Sequence, residues 1–337
     1  MHTAVPLVEI WRGDVLESMH YGHAVICDAQ GQVVEAWGDP NKVILPRSSC
    51  KMVQALPLIE SGAARAFGLT TEQLALSCAS HNGAAIHTDR VGAWLGNLGL
   101  SDQDFRCGPQ LPDDRPAREA LIKADQSPCQ IHNNCSGKHA GFLTLAKHLG
   151  AGPEYINPDH PVQRASKAAF EEVTGEDSLT HAIDGCSAPN FATTVTGLAR
   201  AMARFAAPES GARGEAMQSL FHAMLTHPDL VAGEGRACTE LMRAMEGRVA
   251  VKTGAEGVFA AILPEQGLGI ALKIDDGATR ASECAMASIL VRLGALNPDH
   301  PMTLKRRNVP VKNRRGVITG YVHPSHTGYV HPSQALM

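Results

Sequence analysis

Ser48 and Lys51 stand three residues apart in the stretch Pro46-Arg47-Ser48-Ser49-Cys50-Lys51. On one turn of helix that spacing puts both side chains on the same face. A serine hydroxyl becomes a nucleophile when a base removes its proton. A lysine can act as that base once burial or a neighbouring cation favours its neutral form. Pro46 before the pair and the apolar pattern Met52-Val53-Gln54-Ala55-Leu56 after it read as a helix start. Alone, Ser-x-x-Lys is common, and it reads equally as a first-turn serine beside a solvated lysine.

Two later stretches give the pair company. Ser80-His81-Asn82 sits in a loop, and Lys252-Thr253-Gly254 ends an apolar strand pattern. Taken singly, the first is a turn and the second a strand end. Taken in chain order, Ser-x-x-Lys, Ser-x-Asn and Lys-Thr-Gly are the set used by serine β-lactamases, penicillin-binding proteins and serine glutaminases. In that chemistry one Ser-Lys pair makes the nucleophile. A second serine and lysine relay protons to the leaving amine, and the strand offers N–H groups to an oxyanion or a carboxylate.

A further polar cluster, His132-Asn133-Asn134-Cys135-Ser136-Gly137-Lys138-His139, precedes a helical pattern, and Asp184-Gly185-Cys186-Ser187-Ala188-Pro189-Asn190 forms a second loop. Cys-x-x-Lys with one distant cysteine does not match zinc-finger spacing. On spacing alone, Cys135 and Cys186 read as buried thiols in tight loops.

These residues need elements to hold them. The 337 residues, 44% hydrophobic and 4% aromatic, suit one large or two closely packed domains with close-packed helices. Strand patterns occupy roughly residues 7–37 and 248–274, and helical patterns fill most of 48–245, including candidates at 48–61, 71–77, 161–174 and 190–205. A last helix is expected at 278–293. The economical fold is α+β: N- and C-terminal strands in one antiparallel sheet, a helix over it, and a helical lobe inserted between them. The expected boundaries are a catalytic unit over 1–316, with a sheet lobe (1–47 and 248–316) and a mainly helical lobe (48–247). Residues 317–337 read as a tail, because Thr319-Gly320-Tyr321-Val322-His323-Pro324-Ser325 recurs from Thr327. The net charge of −4, with acids and bases interspersed, points to neither nucleic acid nor an anionic membrane as partner. With no signal-peptide pattern, no membrane-length apolar run and nine scattered cysteines, a cytoplasmic enzyme with reduced thiols is expected.

Laid side by side, these stretches resemble the Rhizobium-type L-asparaginases of the asparaginase II family. The carriers are the six-residue stretch at Ser48, Ser77-Cys78-Ala79-Ser80-His81-Asn82-Gly83, Cys107-Gly108-Pro109, the cluster around Cys135, the loop around Cys186 and Lys252-Thr253-Gly254-Ala255-Glu256-Gly257-Val258. The resemblance implies a β-lactamase-like fold, a homodimer, and hydrolysis of L-asparagine to L-aspartate and ammonia. It also implies two Ser-Lys tandems, Ser48 with Lys51 and Ser80 with Lys252, and a Zn2+ site on Cys135, Lys138 and Cys186 beside the pocket. Lysine binds a metal only when neutral, so zinc and a proton compete for Lys138. Two neighbouring lysines disfavour each other's charge, which leads to an alkaline activity optimum.

Arg47, Asp184, His139 and Asn82 are the candidate substrate-binding residues: Arg47 for a carboxylate, Asp184 for the substrate ammonium. Ordinary ion pairs explain Arg47 and Asp184 equally well, and His139 also reads as a packed loop histidine. The rival readings are a glutaminase or β-lactamase on the same constellation, and an amino-acid-binding protein without turnover.

Overall fold

The structure, a computed structural model, describes residues 3–325. Three strands open it: β1 (Val5–Arg12), β2 (Val15–Cys27) and β3 (Val33–Trp37). Four short strands follow, β4 (Val43–Ile44), β5 (His181–Ile183), β6 (Pro189–Phe191) and β7 (Thr193–Thr194). The later strands are β8 (Ala250–Thr253), β9 (Val258–Leu263), β10 (Leu268–Ile274), β11 (Val309–Lys312) and β12 (Ile318–Pro324). Eight of them form one antiparallel sheet in the order β11-β12-β1-β2-β10-β9-β8, with β3 paired to β2. The α+β layout expected from the sequence is therefore present: N- and C-terminal strands share a sheet.

β2 organises that sheet. Its first part pairs with β1, while Ala24–Cys27 pairs with β3, and β10 runs along Gly22–Cys27. The reversal into β3 follows from Asp28, whose Oδ1 accepts the N–H groups of Gln30 and Gln32. Gly31 supplies the left-handed residue of this turn at φ +75.

The described chain divides into two compact units. The sheet unit holds the residues up to Ser49, Thr193–Ala207, and those from Glu240 onward; the helical unit holds Cys50–Ala192 and Pro208–Thr239. These boundaries differ from the expected 48–247 helical lobe. The helix Val195–Ala206 buries Val195, Leu198, Ala199, Met202 and Phe205 and packs on β10, β2 and β9. Gly269 of β10 permits this, because a Cβ there would collide with the backbone of Ala199 and Ala203. Four consecutive buried residues of β10, Gly269 to Leu272, need cover on both faces. The helix Thr279–Arg292 also packs on the sheet.

Two further differences have local causes. The expected helix at 190–205 begins only at Val195, capped by Thr194 Oγ1 on Gly197 N–H. Before it, Pro189 disfavours continuing a helix and the β-branched Thr193 and Thr194 favour strand. The expected tail contributes β12, which pairs with β1 from Val8 opposite Pro324 to Arg12 opposite Gly320, and Val322 is buried. The second copy of the repeat lies outside the described residues.

In the helical unit, the expected capping box at Thr70 and Gln73 starts the helix Thr71–Ser77. The helix Pro161–Thr174 is capped by the His160 side chain. Pro57, which has no N–H to donate, leaves two short helices, Lys51–Gln54 and Leu56–Glu60, where one was expected. Among the described residues, no helix is long and apolar enough to cross a membrane.

Candidate active site

Lys51 is 1% exposed at the start of its short helix. A buried lysine amine needs partners for its N–H groups. It has three: the carbonyl oxygen of Ala79, Ser80 Oγ at 3.0 Å and Cys135 Sγ at 3.1 Å. The structure thus joins Lys51 to the second serine motif and to the first cysteine of the polar cluster.

Residues 80–82 are fixed by backbone bonds to three separate segments. Ser80 N–H donates to Val231 O at 2.9 Å, His81 N–H to Asn134 O at 3.1 Å, and Asp114 N–H to Asn82 O at 2.8 Å. The His81 ring adds a fourth tie. Its Nδ1 accepts from Gly83 N–H, so Nε2 carries the proton and donates to Ser136 Oγ at 2.9 Å. Burial, with His87 and Lys51 nearby, holds His81 well below the usual histidine range, consistent with a neutral ring. Sequence reasoning took His81 only as the variable residue of Ser-x-Asn; a histidine in that place was the available signal.

Cys135 immediately precedes the helix Ser136–His148, which carries Lys138 and His139. Gly137 lets that helix start against the Leu76 carbonyl, where a Cβ would clash. Cys186 stands at the tip of the β5–β6 hairpin, closed by Asp184 N–H to Ala188 O and Ser187 N–H to Asp184 O. Lys138 Nζ reaches Cys186 Sγ at 3.2 Å. The neighbouring Cys186 raises the Cys135 thiol, and Cys135, the Lys138 cation and His139 lower Cys186 well below the usual thiol range. Burial alone would lower Lys138, but Cys186, Cys135 and Asp184 reverse that and raise it. Lys138 and Cys186 therefore each favour the other's charged form.

His139 Nδ1 lies 2.9 Å from Tyr155 Oη, which also accepts Arg106 N–H at 2.8 Å. The Tyr155 hydroxyl then donates to Nδ1, leaving the proton on Nε2, beside Cys186. Tyr155 is fully buried and was not singled out from the sequence, where nothing distinguishes it.

In the sheet unit, Arg47 and Ser48 lie in the 3-10 turn Arg47–Cys50, both half-buried. Arg47 adopts φ +53, a left-handed conformation uncommon for a residue with a side chain. Lys252 is fully buried on β8 and donates to Thr253 O at 2.8 Å. Cys50 is buried, which pushes its thiol up to about 12 and leaves it unreactive.

Among the described residues, no group of three or more His, Cys, Asp or Glu could hold a metal ion. Cys135, Lys138 and Cys186 form a different donor set, two sulfurs and an amine, with Lys138 Nζ 3.2 Å from Cys186 Sγ. His139 Nε2 is buried beside them, without a hydrogen-bond partner of normal geometry among the described residues. These donors fit a thiophilic divalent cation once the Lys138 proton leaves.

The chain matches the L-asparaginase II family over residues 8–324. None of the curated proteins compared with it matches. Among solved structures it is similar to a β-lactamase from Mycobacterium bovis, at 14% identity over 80% of this chain and 94% of that one, with a TM-score of 0.44. It is also similar to Mglu in its tris and glutamate form, at 12% identity over 89% and 64% of the two chains, with a TM-score of 0.46. A class C β-lactamase from Rhodobacter sphaeroides shows 12% identity over 81% and 94%, with a TM-score of 0.43.

Proposed function

We propose, from the premise that this chain belongs to the L-asparaginase II family, that it is an amidohydrolase acting on L-asparagine through a serine acyl-enzyme. The observation that carries the reading is the buried Lys51 amine 3.0 Å from Ser80 Oγ. A lysine enclosed with a serine hydroxyl can exchange a proton with it when neutral.

In the first step Ser48 Oγ adds to the side-chain amide carbon of asparagine while its proton passes to neutral Lys51. The tetrahedral adduct collapses, the C–N bond breaks, and Ser80 with Lys252 delivers the proton that lets ammonia leave. Water then adds to the aspartyl ester, the ester C–O bond breaks, and aspartate departs as Ser48 recovers its proton. Arg47 receives the substrate carboxylate and Asp184 its ammonium, with Asn82 and His139 as further pocket contacts. The Lys51–Ser80 contact also favours a second assignment, with Ser80 as the nucleophile and Lys51 as its base.

Cys135, Lys138 and Cys186 would hold Zn2+, which when bound supplies a fixed positive charge beside the amino-acid pocket. The chain's own contribution there is orientation: His139 is aimed by Tyr155, and Cys186 by its hairpin tip. A homodimer is the proposed assembly.

The test is acyl-enzyme trapping with L-asparagine, followed by peptide mass mapping, on the wild type and on Ser48→Ala and Ser80→Ala. Adduct on Ser48, and loss of ammonia release in Ser48→Ala with the fold intact, are expected. Adduct on Ser80 would transfer the nucleophile's role to that residue. Release of ammonia from glutamine but not asparagine, or cleavage of a chromogenic β-lactam, would replace the substrate.

A further inference from the structure

Gly233 lies in the loop of residues 231–236, at φ +107. A Cβ at this position would stand 2.5 Å from both Cγ and Oδ1 of Asn82 and 2.6 Å from its Nδ2. Near-equal distances to three atoms of one planar amide put the glycine against the flat face of that amide. The edge is fixed as well, because Ala84 N–H donates to Asn82 Oδ1 at 3.2 Å, which sets the NH2 group on the other edge as the donor. Asn82 is 7% exposed, so its amide has little room elsewhere. Two residues earlier, the same loop accepts Ser80 N–H at Val231 O. The loop therefore meets the Ser-x-Asn motif at both its first and third residues.

We propose that Gly233 is a positioning residue for amide hydrolysis, acting through Asn82. The proposal rests on the reading of Asn82 as a substrate contact given above. Any side chain at position 233 drives the Asn82 amide off its place, and Asn82 has only two side-chain torsions with which to yield. Gly235 supplies the comparison. It too has a left-handed φ, +78, but a Cβ there would meet nothing within 4 Å. Backbone conformation alone accounts for glycine at 235, whereas at 233 the neighbouring amide requires it as well.

The experiment compares Gly233→Ala, Gly235→Ala, Asn82→Ala and the double variant Asn82→Ala/Gly233→Ala, each in full-length protein. The readouts are steady-state asparagine hydrolysis and the side-chain amide resonance of Asn82, which Asn82→Ala assigns by deleting it. Gly233→Ala should lower kcat/KM about 10- to 100-fold, chiefly through KM, as expected for one displaced hydrogen-bonding group. It should also shift the Asn82 resonance. Gly235→Ala should do neither, and the double variant should be no worse than Asn82→Ala. If Gly233→Ala alone fails to fold, recovery of the fold in the double variant still supports the clash. An unmoved Asn82 resonance, or losses that multiply in the double variant, would overturn the proposal. A wild type that hydrolyses no asparagine removes the functional reading instead, and the resonance then decides the positioning by itself.

Discussion

Gly254 lies so close to Pro46 that a Cβ on it would stand 2.6 Å from the Pro46 carbonyl oxygen and 3.2 Å from Ser49 N. Both are backbone atoms of the turn that carries Ser48, and Pro46 O already accepts from Ser49 N–H and Oγ–H. The glycine of Lys252-Thr253-Gly254 thus sets how near β8 comes to the Ser48 turn. Gly254→Ala is expected to cost about 1–3 kcal/mol of stability through overpacking. Displacing the turn by about 1 Å should lower turnover about 100-fold. Urea unfolding and ammonia release measured together check this, and wild-type turnover in the variant would show that the approach is not needed.

The Lys138 cation donates to Cys186 and lowers its thiol below the usual range. Lys138→Met removes it and leaves the burial of the sulfur uncompensated, so the Cys186 thiol should titrate at higher pH. Thiolate ultraviolet absorbance of the metal-free protein, with Cys186→Ser identifying the signal, measures the change. The same variant should bind less of the Zn2+ proposed for this site, read by elemental analysis. A Cys186 titration that does not move would remove the ion pair from the argument.

Short polar motifs in a fixed order were legible because each is contiguous in the chain. The Thr70–Gln73 capping box could be read from the sequence because local chemistry specifies it, whereas the sequence paired Lys51 with Ser48 and Ser80 with Lys252, and the Lys51–Ser80 contact came only with the fold. What escaped depends on packing between distant segments. Nothing local at Gly233 reveals the Asn82 amide above it, and nothing at Tyr155 reveals His139. The helix Val195–Ala206 reads as one more amphipathic helix until the missing Cβ of Gly269 places it on the sheet. β12 was hidden by its own repeat, whose Gly and Pro looked like linker chemistry although Gly320 and Val322 are buried on either side of the exposed Tyr321, as alternation in a strand requires.

His81 and His87 stack at 4.7 Å between ring centres, both held below the usual histidine range by burial. The sign follows from proton counting. Unfolded, each histidine binds a proton near pH 6.5, while the native pair resists it. Their contribution is therefore fully present above about pH 6.5 and is lost as pH falls toward their native values. Each can add a slope of at most about 1.4 kcal/mol per pH unit in that window. Urea midpoints between about pH 7.5 and 5.5 should fall with acidification, less steeply in His87→Gln. A variant with the wild-type slope would assign the acid sensitivity to other groups.

Ser187 holds φ +67 at the tip of the β5–β6 hairpin, directly after Cys186. An L-residue in that conformation is strained by about 1 kcal/mol relative to glycine. Ser187→Gly should therefore stabilise the folded hairpin, offset in part by the greater freedom of glycine in the unfolded chain. It should also widen the range of positions open to Cys186, because glycine accepts backbone conformations that serine does not. The expected outcome is a variant at least as stable as wild type in urea but with weaker retention of the proposed Zn2+ against a competing chelator. Equal retention would mean that the hairpin bonds from Asp184 and Ser187, not the serine's restricted backbone, hold Cys186 in place.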